Sequence, residues 1–496
     1  MMPALGRLLA LMLCLGLAAC TRAPDATLRV GLSSAPVSLD PRYATDATSW
    51  RLCRLLFEAP VDFDPQFMPR PALMRWELRT PTRYRFRLNG EHRFSDGRPV
   101  TAEDVAATYR AVLDPARASP HRGSLKNLRG ISVVDAQTVD FELARPDPLF
   151  PGLLVIGVLP ASAANAPAWT LPPPGSGPFV LDGEPGAKRY RLKRRRDGLA
   201  VEMLVVESEI TRALKLARGE LDLMQGGFAP ENVAWLAARP GLEVAQVAGS
   251  TFSYVGFNFA DGPTRDPRIR QAIAMAIDRE TIVREVFRGQ ARVAEAMLTP
   301  GHWAGAPARA APYPYNPAAA RATLAAAGYT AKHPLRLSYK TSSDPLRLRI
   351  VTILQAQLAA VGIALKIESY DWGTFYADIK AGRFELYGLS WVGLQLPDIF
   401  RYALHSAAVP PGGANRGRYA NPAADRLIET AEASPDLAAR AAIYRQLQEM
   451  LALDLPFLPL WFEDFVIVRR ARVLGYDTNA SGDFDALARV TLEEPR

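Results

Sequence analysis

Residues 94–105 read Phe-Ser-Asp-Gly-Arg-Pro-Val-Thr-Ala-Glu-Asp-Val, and three local signals meet in that one stretch. Just upstream, Tyr84, Phe86 and Leu88 alternate with Arg83, Arg85 and Arg87, the two-residue period of a strand with one buried face. Asp96-Gly97 marks a turn. Thr101 then stands as a helix cap with Asp104 at the capping-box position, and Glu103 and Asp104 put negative charge at the positive helix end. Residues 102–113 are therefore expected to be helical until Pro115 stops them.

The same mixture of periods continues along the chain. Strand-like runs at 28–32, 201–206 and 335–339 are separated by helical stretches such as 210–218 and 347–361, which predicts an α/β fold. Asp266-Pro267 reads as N-cap and first helical residue, and Asp278 caps a following helix expected to end at Gly289. Trp372 is expected in the core, as single aromatic residues usually are. There are no internal repeats; Pro and Gly gather at 167–178, 300–317 and 409–417 and mark loops or joints.

The first residues address the chain to export. Arg7 precedes an apolar run from Leu8 to Ala19 that is too short to span a bilayer and reads as a secretory signal. Leu17-Ala18-Ala19-Cys20 has the form of a bacterial lipobox, so Cys20 is the expected acylated mature N-terminus, with residues 20–26 as a tether. Cys14 leaves with the signal, and Cys53 is then the only thiol, so no internal disulfide is possible. With 49% hydrophobic residues over 496 positions, the core itself must hold two or three domains together.

The net charge is +8, but acids nearly match bases and the Lys and Arg are dispersed, which argues against nucleic acid as a partner. One cluster, Lys-Arg-Tyr-Arg-Leu-Lys-Arg-Arg-Arg at 188–196, places Tyr190 and Leu192 on one face and is expected to be a solvated strand. Catalytic and metal signatures are missing: there is no H-E-x-x-H, G-x-S-x-G, Walker A or C-x-x-C, and His92, His121, His302, His333 and His405 lie far apart. No cofactor, no metal and no enzyme activity are expected.

The wording of 94–105 resembles the F-S-D-G-x-P-x-T-A-x-D-V segment of extracytoplasmic solute-binding proteins of family 5, which serve oligopeptide, dipeptide and nickel importers. Other stretches resemble that family in order: Leu39-Asp40-Pro41, Gly175-Ser176-Gly177-Pro178-Phe179, Arg268-Ile269-Arg270-Gln271-Ala272-Ile273 with Ala276-Ile277-Asp278-Arg279, Ala327-Gly328-Tyr329, Trp391, and Asn421-Pro422. The likeness spans roughly 27 to 480. One departure is Arg195-Arg196-Asp197-Gly198, where the family often has Asn-Pro-x-Tyr-Trp.

The resemblance implies a two-lobed periplasmic binding protein of type II (cluster C) with a hinge between lobes. Residues 27–55, 175–250 and 463–496 would form the first lobe, 56–174 a subdomain inserted in it and 251–462 the second lobe, with crossings near 250 and 465. The implied function is capture of peptide-like solutes for an ATP-driven permease of an ABC importer, by a monomer on the periplasmic or extracytoplasmic face of a bacterial membrane. By the same likeness, Ser33 and Ser34 lie where one lobe meets ligand, and the segment Ser390, Trp391, Gly393 and Leu394 borders the cavity; Asn258 and Asn415 are further ligand-binding candidates. In the best-known peptide binders the residue three after that tryptophan is an Asp that pairs with the ligand's ammonium group. Here it is Leu394, and Asp398 is the nearest acid. A non-peptide ligand such as a metal chelate, haem or oligosaccharide, a sensing or scaffolding lipoprotein, and an exported hydrolase stay open as alternatives.

Overall fold

The computed structural model describes residues 27–166, 169, 171–306, 312–330 and 332–493. The signal segment, Cys20 and the tether lie outside the described residues. No helix among those described is long and apolar enough to cross a membrane.

The backbone of the molecule is an antiparallel pair of long strands, Leu242–Phe257 and Phe457–Arg470, registered from Leu242 opposite Arg470 to Gly256 opposite Phe457. Register shifts between Val247 and Thr251 and between Ser253 and Tyr254 bend the pair near its middle. Before the bend the first strand alternates partly buried and exposed positions; beyond it every residue is buried, the mark of a strand covered on both faces. On one side the sheet continues through Leu223–Gln225, Leu28–Leu32, Ala200–Val205, Arg189–Arg194 and Phe179–Leu181, and on the other through Leu386–Trp391, Leu335–Ser342 and Ile363–Tyr370. Leu28–Leu32 runs parallel to both of its neighbours, as do the last two strands to each other, so helices must carry the crossovers.

Apolar side chains gather accordingly. Leu28, Val30, Leu55, Val201, Leu223 and Ile467 share one core. Phe257, Ile273, Leu337, Leu354, Leu386 and Trp461 share another. A third, around Phe86, Val105, Tyr109, Phe141 and Phe150, belongs to a four-stranded antiparallel sheet in the order Met74–Thr80, Arg83–Leu88, Thr138–Leu143, Leu128–Asp135.

That small sheet carries the motif of 94–105. Tyr84, Phe86 and Leu88 turn inward, and the helix Ala102–Leu113 begins and ends where its caps predict. The Thr101 N–H and hydroxyl both donate to Asp104 Oδ2 at 2.8 Å. Gly97, at φ +89°, lets its amide reach Phe94 O. The neighbouring Ser95 amide donates to Gly175 O at 2.9 Å, which joins this turn to the glycine-rich loop.

Three expectations need correction. The basic strand is not wholly solvated: Arg194 is buried, pairs with Asp197 and donates to the carbonyls of Leu487 and Val490 at 3.1 and 2.7 Å. Its neighbour Arg195 donates to the carbonyls of Ser176 and Arg93 at 2.9 and 3.0 Å, so the turn that departs from the family pattern fastens the 94–105 loop. The helix capped by Asp278 spans Arg279–Glu285 and stops before Gly289, because Val286 and Phe287 are drawn into the core and Arg288 already takes φ +49°. Trp372 is 59% exposed, not a core residue; its helix buries Phe375 and Ile379 instead.

Candidate functional site

Where the four-stranded subdomain faces the residues after Leu386–Trp391, the chain encloses a cavity of about 340 Å³. That lies toward the small end of the roughly 300–1,000 Å³ found for small-molecule sites. Trp50, His121, Asn127 and Asp147 line one wall, and Gly393, Leu394, Asp398, Arg401, Tyr402 and Glu432 the other. The second wall follows from local chemistry: Gly393 takes φ +64° to turn the chain out of the strand, and Pro397 precedes the short helix Ile399–Leu404.

The cavity is rich in carboxylates of unequal standing. Glu432 is held by Arg401, whose Nε donates to both carboxylate oxygens at 2.7 and 2.8 Å. The Nη2 atom of that same Arg401 is buried without a hydrogen-bond partner. Asp147 Oδ1 accepts only a local bond from the Leu149 amide, and burial pushes its pKa upward. Asp398 keeps surface open to the cavity yet is walled by protein; burial, with the charges of Asp147 and Glu432 behind it, raises its pKa to about 7. Among the described residues no ion pair joins Asp147 or Asp398 to a cation. His121 Nε2 donates to Ala44 O at 3.1 Å, and burial lowers the pKa of the ring. The arrangement suits a small solute bearing a positive charge.

Of the residues singled out in the sequence, Gly393 and Leu394 line this cavity, and Asp398 shares it. Trp391 stands one ring behind, edge-on to cavity-lining Tyr402 with centroids 6.1 Å apart. Ser390 lies in the sheet, its hydroxyl 2.7 Å from that of Ser253, which bonds Glu463. Ser33 and Ser34 are exposed beyond Leu28–Leu32 and outside this cavity; Ser34 Oγ is 3.2 Å from Thr48 Oγ1. The Asn258 amide group bonds Phe384 O and the Ala260 N–H, and that of Asn415 bonds His405 O, Tyr419 O and the Tyr419 N–H, so both close their own loops. Sequence reasoning missed Asp147, Arg401, Tyr402 and Glu432, which no motif marks and only the fold assembles. No group of three or more His, Cys, Asp or Glu able to hold a metal ion occurs among the described residues.

The two walls touch around the cavity. Phe67 stacks on His302, and a Cβ on Gly152 would lie 3.1 Å from the Leu396 methyls. Farther along the boundary Glu231 pairs with Arg349 at 3.0 Å and with Arg288 at 3.9 Å.

Residues 66–408 match the family described as Bacterial extracellular solute-binding proteins, family 5 Middle. The chain is 28% identical to Di/tripeptide-binding protein 2 of Pseudomonas aeruginosa, over 97% of this chain and 98% of that one. Its fold is similar to that of NikA from Brucella suis in complex with Fe(III)-EDTA, with TM-score 0.85, 21% identity and coverage of 95% and 100%. It is also similar to DppA from Helicobacter pylori in complex with the peptide STSA, with TM-score 0.79, 24% identity and coverage of 94% and 98%.

Proposed function

This chain belongs to the bacterial extracellular solute-binding proteins of family 5, and we propose that it captures short peptide-like solutes with a free amine and hands them to an ATP-driven permease. The observation that carries the reading is Asp398, a carboxylate facing the cavity with two further acids nearby and, among the described residues, no cation paired with it. An entering ammonium group would supply that charge and restore Asp398 to its ionised form. The acid thereby takes over, four residues later, the place left apolar by Leu394. A cavity of about 340 Å³ favours short solutes over long ones. The similarity to a protein named for di- and tripeptides supports the same class.

In this reading the segments 27–55, 175–250 and 463–496 form one lobe, 56–174 its inserted subdomain and 251–462 the other lobe. The separate apolar cores and the two long strands that pass between them support that division. Hinge bending at the strand pair opens and closes the cavity, giving the permease two distinguishable shapes. Ser33 and Ser34 sit on the first lobe, positioned to meet only a longer or differently placed solute. Acylated Cys20 holds the protein at the membrane. The work is binding and release, with no covalent step.

Calorimetry with one short peptide, free and N-acetylated, tests the reading. Acetylation is expected to weaken binding more than about tenfold, or about 1.4 kcal/mol, and Asp398→Asn to abolish the difference. Equal binding of both forms would defeat the amine assignment.

A further inference from the structure

A second, much smaller cavity of about 20 Å³ lies against the strand Leu386–Trp391 and shares no lining residue with the solute cavity. Tyr387 and Trp391 line it together with Tyr254, Leu404, Arg416 and Phe457, and no Asp or Glu does. A space of that size holds one water or one monatomic ion. Arg416, only 8% exposed, donates to the hydroxyls of Tyr376 and Tyr254 at 3.0 and 3.3 Å. Its guanidinium carbon also sits 4.8 Å from the Trp391 ring centroid and 5.4 Å from that of Tyr376.

Other buried arginines of this chain meet carboxylates or carbonyls. Arg194 pairs with Asp197, Arg270 donates to Asp454 O, and Arg440 donates to Ser434 O. Arg416 donates from its side chain only to phenol oxygens, and no carboxylate pairs with it among the described residues. Tyr254 and Tyr387 cannot supply the countercharge as phenolates at neutral pH, because burial raises the pKa of both. A buried guanidinium held this way keeps most of its desolvation cost, which an anion in contact with it would offset. The Tyr254 oxygen accepts from Arg416, so its hydroxyl keeps a proton to donate at the cavity it lines. Cation, hydroxyl donor and a space of ionic size therefore coincide.

We propose that this cavity is a halide site, in which chloride lies against the Arg416 guanidinium and accepts from the Tyr254 hydroxyl. Its size selects a monatomic ion over a carboxylate or an oxyanion. Its apolar lining, Leu404 and Phe457 among others, favours a weakly hydrated anion over a strongly hydrated one. The site stands apart from the peptide reading, since no residue is common to the two cavities. It bears on the same wall of the protein: Trp391 packs on Arg416 and stands edge-on to Tyr402 of the solute cavity, so the bound ion steadies that wall from behind.

Melting of the solute-free protein in sodium chloride, sodium bromide, sodium acetate and sodium gluconate at equal ionic strength tests it, on the intact protein, on Arg416→Gln and on Arg416→Lys. Chloride and bromide are expected to raise the melting temperature above that in gluconate by about 1 to 4 °C, levelling off as the halide increases. Arg416→Gln should lose that difference, and Arg416→Lys should keep part of it. No halide-specific rise, or one that persists in Arg416→Gln, overturns the site. Acetate acting as strongly as chloride overturns the halide assignment in favour of a small carboxylate. If Arg416→Gln does not fold, crystals of the intact protein grown in bromide decide the matter. Anomalous density within hydrogen-bond reach of Arg416 and Tyr254 upholds the site, and its absence there overturns it.

Discussion

Phe67 stacks on His302, 235 residues further along the chain, with ring centroids 5.2 Å apart and planes 23° from parallel. Phe67 is held at φ +64° at the tip of a hairpin between Val61–Phe63 and Pro69–Pro71, where Asp64 Oδ1 accepts from the Gln66 and Met68 amides at 2.9 Å each. It is buried although it belongs to none of the apolar cores found among the described residues. His302 receives the Ala304 amide on Nδ1 and therefore donates from Nε2 to Gln395 O at 3.0 Å; burial lowers its pKa to about 4, leaving a neutral ring at pH 7.

Phe67→Ala should leave the separate cores intact and weaken closure. Solute affinity is expected to fall about three- to tenfold, with an unchanged melting temperature for the empty protein. Calorimetry reads the first and scanning calorimetry the second; full affinity in the variant would remove Phe67 from the closing mechanism.

Asp398 imposes a pH dependence whose sign is fixed by its neighbours. With the carboxyl titrating near 7 in the empty protein, an ammonium ligand below pH 7 must first displace a proton. Affinity for a free-amine peptide should be greatest between about pH 7 and 8, falling below that as Asp398 takes up a proton, by at most about tenfold per unit, and above it as the peptide's α-ammonium group, with a pKa of about 8, loses its own. The other groups facing the cavity do not oppose this: burial lowers the pKa of His121, Arg401 holds Glu432, and Asp147 shifts in the same direction as Asp398. Asp398→Asn should flatten the acid side of the profile, and a slope that persists there in that variant would assign it elsewhere.

The same group affects stability in the opposite sense. Its folded pKa lies above the usual 3.8, so its stabilising contribution is complete below that value and is lost as the pH rises through about 7. Asp398→Asn is expected to raise the melting temperature of the empty protein at pH 8 and to change it little at pH 4.

Gly175 and Gly177 pack against the end of the helix Ala47–Leu56, where an added Cβ would come 1.9 Å from Leu56 O and 2.4 Å from Leu55 O. Backbone cannot yield as a flexible side chain does, so Gly175→Ala should cost at least about 1 to 3 kcal/mol. Urea unfolding measures it; a loss under about 0.5 kcal/mol, the size of an ordinary surface change, would show that the contact relaxes freely.

Cys20→Ala should release the protein from membranes. Each acyl chain contributes about 0.8 kcal/mol per buried methylene, and two or more are needed for firm anchoring. Cell fractionation with unchanged membrane retention would remove the lipid tether.

What could be known from the sequence alone is what short-range chemistry decides. The strand Arg83–Leu88, the turn at Gly97 and the capped helix Ala102–Leu113 follow from neighbours within a few positions, as do the caps at Asp266 and Asp278. The motifs in their order also pointed to the family, and Gly393 and Leu394 to one cavity wall. Tertiary structure decided the rest, because the deciding interactions join residues far apart in the chain. Burial of Arg194 depends on carbonyls nearly 300 residues away, and exposure of Trp372 on which stripe of its helix is buried. The unpaired charge of Asp398 is likewise invisible in its neighbours. It exists only because folding sets that carboxylate beside Asp147 and Glu432, while Arg401 is taken up by Glu432 and no cation pairs with Asp398 among the described residues.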